Sequence, residues 1–589
     1  MPFEGTFNQR HWGQLFTDNL AFMNYSFETR QNRAVLNDNL QFIGDELDYL
    51  RSRVDGGFDP NGGFVPTNTG TKDQIFEVTS STETARYLNT ETYTPDANLL
   101  VDVNAGRAVV LQREKPTAGT WVLPTWFTGR AHHATSFWSA VSFYHAGDTY
   151  ATDLDNPNRF WAAAVEDVRS EWAVENPSQD PREYYVDPTA SGGGDGSRAT
   201  PFNSISDALA ELDCFTVRLR TIWGWDSADT FSTDRSVVFD VYREDGDPEY
   251  CIMGGVYAPS ALTVTDVTAT YPNVWTVEHF SSPVALYGLF AWDDLDEDGF
   301  PRMPILVDSP EEVSETPGSW HFADNGGTNS GIIYFHWADG TPSFGTKAAG
   351  ATHNVNRAAT NRNLIPTDTA DIKVAYRNIH FTPTAFANCL NVAVSDRPTI
   401  WMLDCRASHC LYDGGGEGFM FWGCNVYAHS LHSRYSGSDG HYINDAAVLF
   451  INRRCDGVGE TKYGTGHQVI SSHSESQIVE VNLEGFLGRQ KDGDGGAYGA
   501  FAVLNNSADL IVLGADVYGT VDSLDTIEAR PDWDGQALFA GIKRLPTADG
   551  QVQIRMGSPD GRVDIDLSST AATGSIYGGY ESNAHINDV

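Results

Sequence analysis

The sequence predicts a mainly β protein whose second half folds as a parallel β-helix. Short apolar or β-branched runs, such as Thr399–Leu403 and Ala447–Ile451, recur between residues 388 and 482, and Gly-, Ser-, Asp- and His-rich turns separate them. A strand and a turn at a short period are typical of a coil that buries its face only by stacking on its neighbours. Cysteine, a small buried hydrophobe, marks the runs at gaps of 16, 19 and 31 residues, roughly one to one and a half coils: Cys389, Cys405, Cys424 and Cys455.

The 589-residue chain is strongly acidic, with a net charge of -41 and only 7 Lys among its 38 basic residues. Nucleic-acid backbones and anionic membranes require basic patches, so the composition argues against both partners. Screening by salt would remove the self-repulsion of so acidic a chain, which raises the hypothesis of a halophilic or marine origin. A merely acidic protein is the alternative.

Cysteine use and the N-terminus bear on the compartment. The seven Cys include no CxxC pair and suggest neither a disulfide framework nor a zinc site. Met1–Gly5 has no basic region and no apolar core follows it, so we expect no signal peptide. No run of 18 apolar residues suggests a membrane span. We expect synthesis in the cytoplasm, and assembly into a virion as the way to an extracellular site of action.

The first region, residues 1–57, contains a predicted helix. Its apolar positions are spaced 4, 3, 4, 3 and 4 residues apart and form a heptad seam that ends at Asp55-Gly56-Gly57. Fewer than three heptads are marginal alone, which favours a short bundle in a homotrimer. An amphipathic helix packed on its own domain is the alternative. The seam consists of Leu36, Leu40, Ile43, Leu47, Leu50 and Val54.

Residues 58–180 are predicted to form a β-rich attachment domain. Gln74–Val78 and Arg107–Leu111 alternate as strands do, and residues 159–174 form a predicted helix. The adjacent His132 and His133 are not a metal pair, because successive side chains on a helix diverge.

The β-helix is predicted over residues 181–520. A strand at Glu183–Pro188 and a Gly-rich loop at Ser191–Ser197 lead into Thr200-Pro201-Phe202 and an amphipathic helix through Ile205 and Leu212. This order resembles the start of the pectate-lyase-like right-handed β-helix superfamily, which is frequent in phage tailspikes. The resemblance implies that the helix closes the open end of the coil.

A second resemblance lies further along the same region. Pro317–Phe322, Gly331–Phe335 and Asp339–Pro342 are similar to an insertion found in many virion-type β-helices. After about residue 520 the pattern becomes irregular, so residues 521–589 are predicted to form a small C-terminal β cap or trimer domain.

An acidic cluster upstream of the insertion is a candidate Ca²⁺ site. Asp294, Asp296 and Asp298 alternate before Gly299, and alternating carboxylates can converge on Ca²⁺. Ile305 stands where an EF-hand requires Glu, so an EF-hand is not expected. A solvated acidic turn is the alternative.

The catalytic candidates are Glu417, Asp439 and His441. Stacked rungs are about 4.8 Å apart, so carboxylates on neighbouring coils would lie at separations that glycosidases use. Glu417 and Asp439 are 22 residues apart, near one coil, and His441 could protonate a leaving group. Around them, Ser438–Tyr442 and Ser472-His473 resemble a run of tailspike-type β-helices. The alternative is that Asp, His and Gly merely fill tight turns.

The glycan-binding candidates are aromatic or hydrogen-bonding: Trp422, Arg434, Tyr435 and His473. Flat aromatic faces of Trp and Tyr, Tyr427 among them, complement the apolar side of a sugar if they are exposed; otherwise they are core residues. Nucleotide and α/β-hydrolase motifs are absent from the sequence.

The sequence therefore predicts a homotrimeric virion tailspike or tail-fibre protein that binds other tail or baseplate proteins and a host-surface polysaccharide or glycoprotein glycan. Three hypotheses stay open: a glycan-binding adhesin, a glycosidase or lyase that degrades the glycan, and a structural virion protein without a ligand. The expected location is the tail of the virion.

Overall fold

The structure is a computed structural model, and residues 1–119 and 120–589 form two compact units. The predicted heptad helix lies outside the described residues. These are residues 75–79, 84–89, 108–114, 119–128, 135–146, 149–222, 233, 235–253, 264–279, 288–296, 298–302, 304–327, 330–338, 340, 353–356, 372–381, 397–408, 418–434, 440–457, 469–487, 502–519, 527–544, 552–567, 574–577 and 579–588.

Strands dominate the described part of the chain, as the sequence predicts. The helices are α1 (Thr125–Thr128), α2 (Thr135–Ser139), α3 (Pro157–Glu175), α4 (Ile205–Ala210), α5 (Pro310–Glu315) and a 3₁₀ turn at Glu581–Asn583. The strands are β1 (Ile75–Thr79), β2 (Thr84–Asn89), β3 (Ala108–Glu114), β4 (Gly119–Trp121), β5 (Phe143–Ala146), β6 (Thr149–Thr152), β7 (Arg182–Val186), β8 (Cys214–Arg220), β9 (Val237–Tyr242), β10 (Cys251–Met253), β11 (Val264–Asp266), β12 (Trp275–His279), β13 (Gly288–Leu295), β14 (Pro301–Arg302), β15 (Ile305–Leu306), β16 (Ser319–Gly327), β17 (Ser330–His336), β18 (His353–Asn356), β19 (Lys373–Arg377), β20 (Ile379–Phe381), β21 (Thr399–Leu403), β22 (Arg406–Ser408), β23 (Phe419–Trp422), β24 (Asn425–His429), β25 (His432–Arg434), β26 (His441–Asn444), β27 (Ala447–Ile451), β28 (Arg454–Gly457), β29 (Ile470–His473), β30 (Gln477–Leu487), β31 (Ala502–Leu504), β32 (Asp509–Gly519), β33 (Ile527–Ala529), β34 (Gln536–Arg544), β35 (Val552–Met556), β36 (Arg562–Leu567), β37 (Gly574–Tyr577) and β38 (Ala584–Asp588).

The predicted parallel β-helix is confirmed. A 17-stranded sheet and a seven-stranded sheet (β23, β26, β29, β31, β33, β35 and β37) wind around one apolar core. Within the coil each strand pairs in parallel with a strand of the next turn, for example β24 with β27 and β23 with β26. Parallel pairing continues to β38, so the irregular sequence after residue 520 still builds stacked strands. The predicted domain boundaries stay predictions.

The coil length differs from the cysteine spacing. Val426 pairs with Val448, 22 positions on, and Ile478 pairs with Leu510, 32 positions on. Cys405 and Cys424 each precede a strand, whereas Cys455 lies inside β28, so the cysteines do not occupy equivalent positions. The expectation that they mark the coil period is wrong. All three are free and buried in the core, as expected for small apolar side chains.

Left-handed residues turn the chain at the corners of the coil. Small polar residues and Gly adopt a positive φ at lower cost than other residues do. One corner has such a residue in seven successive turns: Asn378, Asp404, Ser430, Asn452, Asn482, Gly514 and Gly541. A second corner, between the seven-stranded sheet and the next strand of the long sheet, repeats the device at Gly423, Asp445, Ser474 and Asn506.

The predicted end helix is confirmed in its position against the first strands. α4 begins after Ser204, whose hydroxyl accepts a hydrogen bond from Asp207 N at 3.1 Å. Ile205 and Ala208 are fully buried and belong to the core cluster that also contains Val217 of β8. None of the helices in the described part is long and apolar enough to cross a membrane.

A layer formed by the described residues between 120 and 175 covers the outer face of part of the long sheet. Helix α3, which the sequence predicts, buries Phe160 against Trp401 with ring centroids 5.2 Å apart. Phe137 stacks on Tyr427, with ring centroids 4.2 Å apart, and covers it. Tyr427 is therefore buried, so of the two alternatives it is a core aromatic and not an exposed sugar platform.

Residues between β10 and β19 contribute an insertion with its own five-stranded sheet and its own small core around Trp320 and Phe335. The hairpin of β13 and β14 belongs to this insertion. Its turn, Asp296–Phe300, contacts the outer face of β22, β25 and β28.

Candidate functional site

The outer face of the seven-stranded sheet carries a row of aromatic and polar side chains. Its strands alternate strictly: Phe419, Phe421 and Ile443 point into the core and are fully buried, so their neighbours point outward. In the parallel pairing of β23 with β26 and of β26 with β29, Trp422 lies beside Asn444 and Asn444 lies beside His473. Because neighbouring rungs are about 4.8 Å apart, Trp422 and His473 lie about 10 Å apart in one outward column.

We call Trp422, Asn444 and His473, together with Tyr442 of the neighbouring column, the aromatic column. Tyr442 and His473 stack with ring centroids 4.4 Å apart, and Asn444 Nδ2 donates to the Tyr442 hydroxyl at 3.0 Å. All four side chains are partly exposed. A partly exposed indole beside amide and hydroxyl groups provides both an apolar platform and hydrogen-bonding partners for a sugar ring.

His473 is held neutral in this site. Burial and, to a smaller extent, the nearby Arg530 lower the pKa of His473 to about 4, although Asp532 opposes the shift. Its Nε2 lies 2.7 Å from the Ser471 hydroxyl, which is buried beneath the ring. His473 can therefore exchange hydrogen bonds with a neutral ligand across the ordinary pH range without gaining charge.

The same outer face becomes charged further along the sheet. Glu528, on β33, is mostly buried and lies 3.5 Å from Arg555 and 3.8 Å from Arg530. These charged groups pair with one another, whereas the described outward residues next to Trp422 on the adjacent strand, Tyr442 and Asn444, carry no charge.

His441 lies inside the coil. It is 0 % exposed and stacks on Phe419, and its Nδ1 accepts a hydrogen bond from Arg453 Nη1 at 2.6 Å. Burial and the nearby Arg453 and His432 hold the pKa of His441 well below its usual range. A neutral interior ring has no path to a glycan on the outer surface, so we leave His441 out of the proposed site.

Three further candidates, Glu417, Tyr435 and Asp439, lie outside the described residues. In the sequence, Glu417 stands two positions before Phe419 and Asp439 two positions before His441. Phe419 and His441 are partners in the ladder of β23 and β26.

Arg434 lies on a different face from the aromatic column, on the outer side of β25. It forms ion pairs with Asp296 at 3.1 Å and with Asp298, while Arg454 contacts both oxygens of Asp298 at 2.9 and 3.0 Å. Asp296 Oδ1 also accepts backbone N–H groups of Asp298 and Phe300.

These contacts bear on the predicted Ca²⁺ site. Asp294 lies in β13, but its side chain is outside the described part. The described residues contain no group of three or more His, Cys, Asp and Glu arranged to hold a metal. The Ca²⁺ site stays a prediction, and the described carboxylates of this loop bind arginine instead.

Sequence reasoning missed Tyr442 and Asn444. Tyr442 follows His441 directly and Asn444 stands three positions after it, and the signal that finds them is the alternation of buried Phe419 and Phe421 with Trp422, carried to the next rung. That transfer requires the 22-residue register, which the cysteine spacing did not provide.

No protein-family model matches the chain, and no curated protein matches its sequence. The coil is similar to several solved structures. One is described as a glycoside hydrolase, with 10 % identity, a TM-score of 0.32, and coverage of 69 % of this chain and 96 % of that one. Another is a GH136 lacto-N-biosidase from Eubacterium ramulus, with 8 % identity, a TM-score of 0.29, and coverage of 73 % of this chain and 70 % of that one. A third is the tailspike protein gp49 from Pseudomonas phage LKA1, with 12 % identity, a TM-score of 0.20, and coverage of 63 % of this chain and 75 % of that one. Scores this low carry no argument about function.

Proposed function

We propose that this protein is a virion tailspike or tail-fibre protein that recognises a host-surface glycan through the aromatic column. The observation that carries the proposal is the register that places Trp422, Asn444 and His473 side by side on one outward face. The tailspike role itself rests on the sequence resemblance, and a homotrimer bound to other tail or baseplate proteins is part of the same proposal.

The test is binding of purified protein to an array of bacterial and archaeal surface polysaccharides, followed by titration of any positive glycan. Trp422→Ala removes the platform and should weaken binding roughly tenfold, about 1.4 kcal/mol. Trp126→Ala is the matched control, because Trp126 is partly exposed on the layer of residues 120–175. Equal affinity of the Trp422 variant and the wild type would reject the column as the site.

A second candidate function is cleavage of the same glycan. It is favoured by the sequence separation of Glu417 and Asp439, which equals the 22-residue register between Phe419 and His441. Two carboxyl groups near one rung spacing would divide into a general acid and a base or nucleophile.

A reducing-end assay on the bound polysaccharide tests cleavage. Glu417→Gln and Asp439→Asn should each abolish release of reducing ends while binding and oligomer size are unchanged. Release that persists in both variants would reject this pair. Absence of release in the wild type, with binding retained, would leave the adhesin as the function.

A further inference from the structure

Three arginines stand on successive coils of the outer face formed by β22, β25 and β28. Arg406 pairs with His432 and His432 with Arg454, so these three side chains form one column, and Arg434 pairs with Asp456 in the next column. We call Arg406, Arg434, Arg454, His432 and Asp456 the arginine face. Such a concentration of cations stands out in a chain whose net charge is -41.

The turn Asp296–Phe300 of the insertion occupies this face in the way a carboxylate ligand would. Asp298 accepts two hydrogen bonds from Arg454, at 2.9 and 3.0 Å, and a further one from Arg434 Nη1. The backbone oxygen of Asp298 accepts from Arg406 Nη1 at 2.8 Å. Two-point contacts of this kind are the geometry in which arginine recognises carboxylates.

The turn holds its own shape. Asp296 Oδ1 accepts the N–H groups of Asp298 at 3.0 Å and Phe300 at 2.9 Å, and Gly299 N donates to the Asp296 backbone oxygen at 3.0 Å. Its conformation is therefore set by bonds within the turn as well as by the arginines.

The arginine face is also supported without the turn. Asp456 binds Arg454 Nε at 3.1 Å and His432 Nε2 at 2.9 Å, and the Arg406 guanidinium lies 4.0 Å from the centre of the Tyr250 ring. Burial opposes ionisation of Asp456, but His432, Arg454 and Arg434 outweigh it and lower its pKa. The face would stay ordered and would carry three arginine charges against Asp456 and the exposed Glu484, which pairs with Arg454 on the next coil.

We propose that the arginine face is a second binding site, for a carboxylated glycan, and that Asp298 is an internal competitor that closes it. This site is distinct from the aromatic column and does not depend on the function proposed for that column. Phe300 favours the closed form, because it is fully buried, edge-on to His380 at 5.1 Å and His432 at 4.6 Å. Exposing such a side chain costs about 1.5–3 kcal/mol, which a ligand with several carboxylates must offset.

The test compares the binding of oligogalacturonate, which is carboxylated, with that of neutral maltooligosaccharide by titration calorimetry. Asp298→Asn keeps the shape and removes the competing charge, so it should tighten oligogalacturonate binding roughly tenfold, about 1.4 kcal/mol. Adding Arg454→Gln should abolish the gain. Glu311→Gln, the same charge change on an exposed position of the insertion, is the matched control and should have no effect.

A folded Asp298→Asn protein with unchanged affinity would overturn the proposal, as would an equal gain for the neutral sugar. If the variant does not fold, hydrogen exchange of the wild-type protein decides. Saturating oligogalacturonate should speed exchange of the Asp298, Gly299 and Phe300 amides, and unchanged exchange would overturn the proposal.

Discussion

The sharpest prediction concerns a charged pair inside the coil. Arg453 and Glu480 are 1 % and 0 % exposed, and Arg453 Nε donates to Glu480 Oε2 at 2.8 Å while Nη2 contacts Oε1 at 2.5 Å. Glu480→Gln keeps the volume but leaves the Arg453 charge uncompensated in the core. Breaking a buried pair from one side typically costs 3–5 kcal/mol, and we expect about that loss in the free energy of unfolding.

Most of this cost arises from the Arg453 charge that the substitution leaves without a partner. The intact buried pair itself contributes little net free energy to folding. Arg453 also donates to His441 Nδ1 at 2.6 Å, so the polar unit has three members. Replacing all three together, Arg453→Met, Glu480→Leu and His441→Leu, should therefore cost less than Glu480→Gln alone.

Urea unfolding, followed by circular dichroism, measures the free energy of unfolding of both variants and of the wild type. Glu484→Gln is the control, since Glu484 is an exposed residue of the same strand, and a change within about 0.5 kcal/mol is expected. A loss below about 1 kcal/mol for Glu480→Gln, or a triple variant less stable than it, would refute the reasoning.

Three further predictions concern other parts of the molecule. Because the pKa of His473 is about 4, the folded state resists protonation of this ring, and the free energy of unfolding should fall as the pH drops from 6.5 through 4. The fall amounts to at most about 3 kcal/mol and should be smaller in the His473→Gln variant. Thermal melts of both proteins at pH 7 and pH 4 measure it. Asn452 has a φ of 51°, so Asn452→Val should cost about 1–2 kcal/mol and Asn452→Gly less, and equal urea midpoints would contradict the corner argument. If Asp294, Asp296 and Asp298 bind Ca²⁺, a chelator should lower the melting temperature, and an unchanged melting temperature would count against the Ca²⁺ prediction.

The end helix and α3 show what local sequence predicts well. Ser204 before Ile205 and Asn156 before Pro157 are capping residues followed by helical apolar spacing, and both helices begin there. The site was harder to predict. Residue type predicts Trp422, and residue type together with a resemblance predicts His473, whereas neither predicts Tyr442 and Asn444 as site residues.

The sequence by itself determined the class of fold, because short apolar runs and left-handed corner residues such as Asn452 and Asp445 are local properties of the chain. Only the tertiary structure decided which side chains meet. The register of β23 on β26 puts Trp422 beside Asn444, and the packing of Phe137 on Tyr427 removes a similar aromatic from solvent. Likewise, Asp298 and Arg454 are 156 positions apart, and folding of the insertion onto the coil brings them together. Register and long-range contact depend on the lengths of intervening segments and on surfaces built elsewhere in the chain, which no local pattern records.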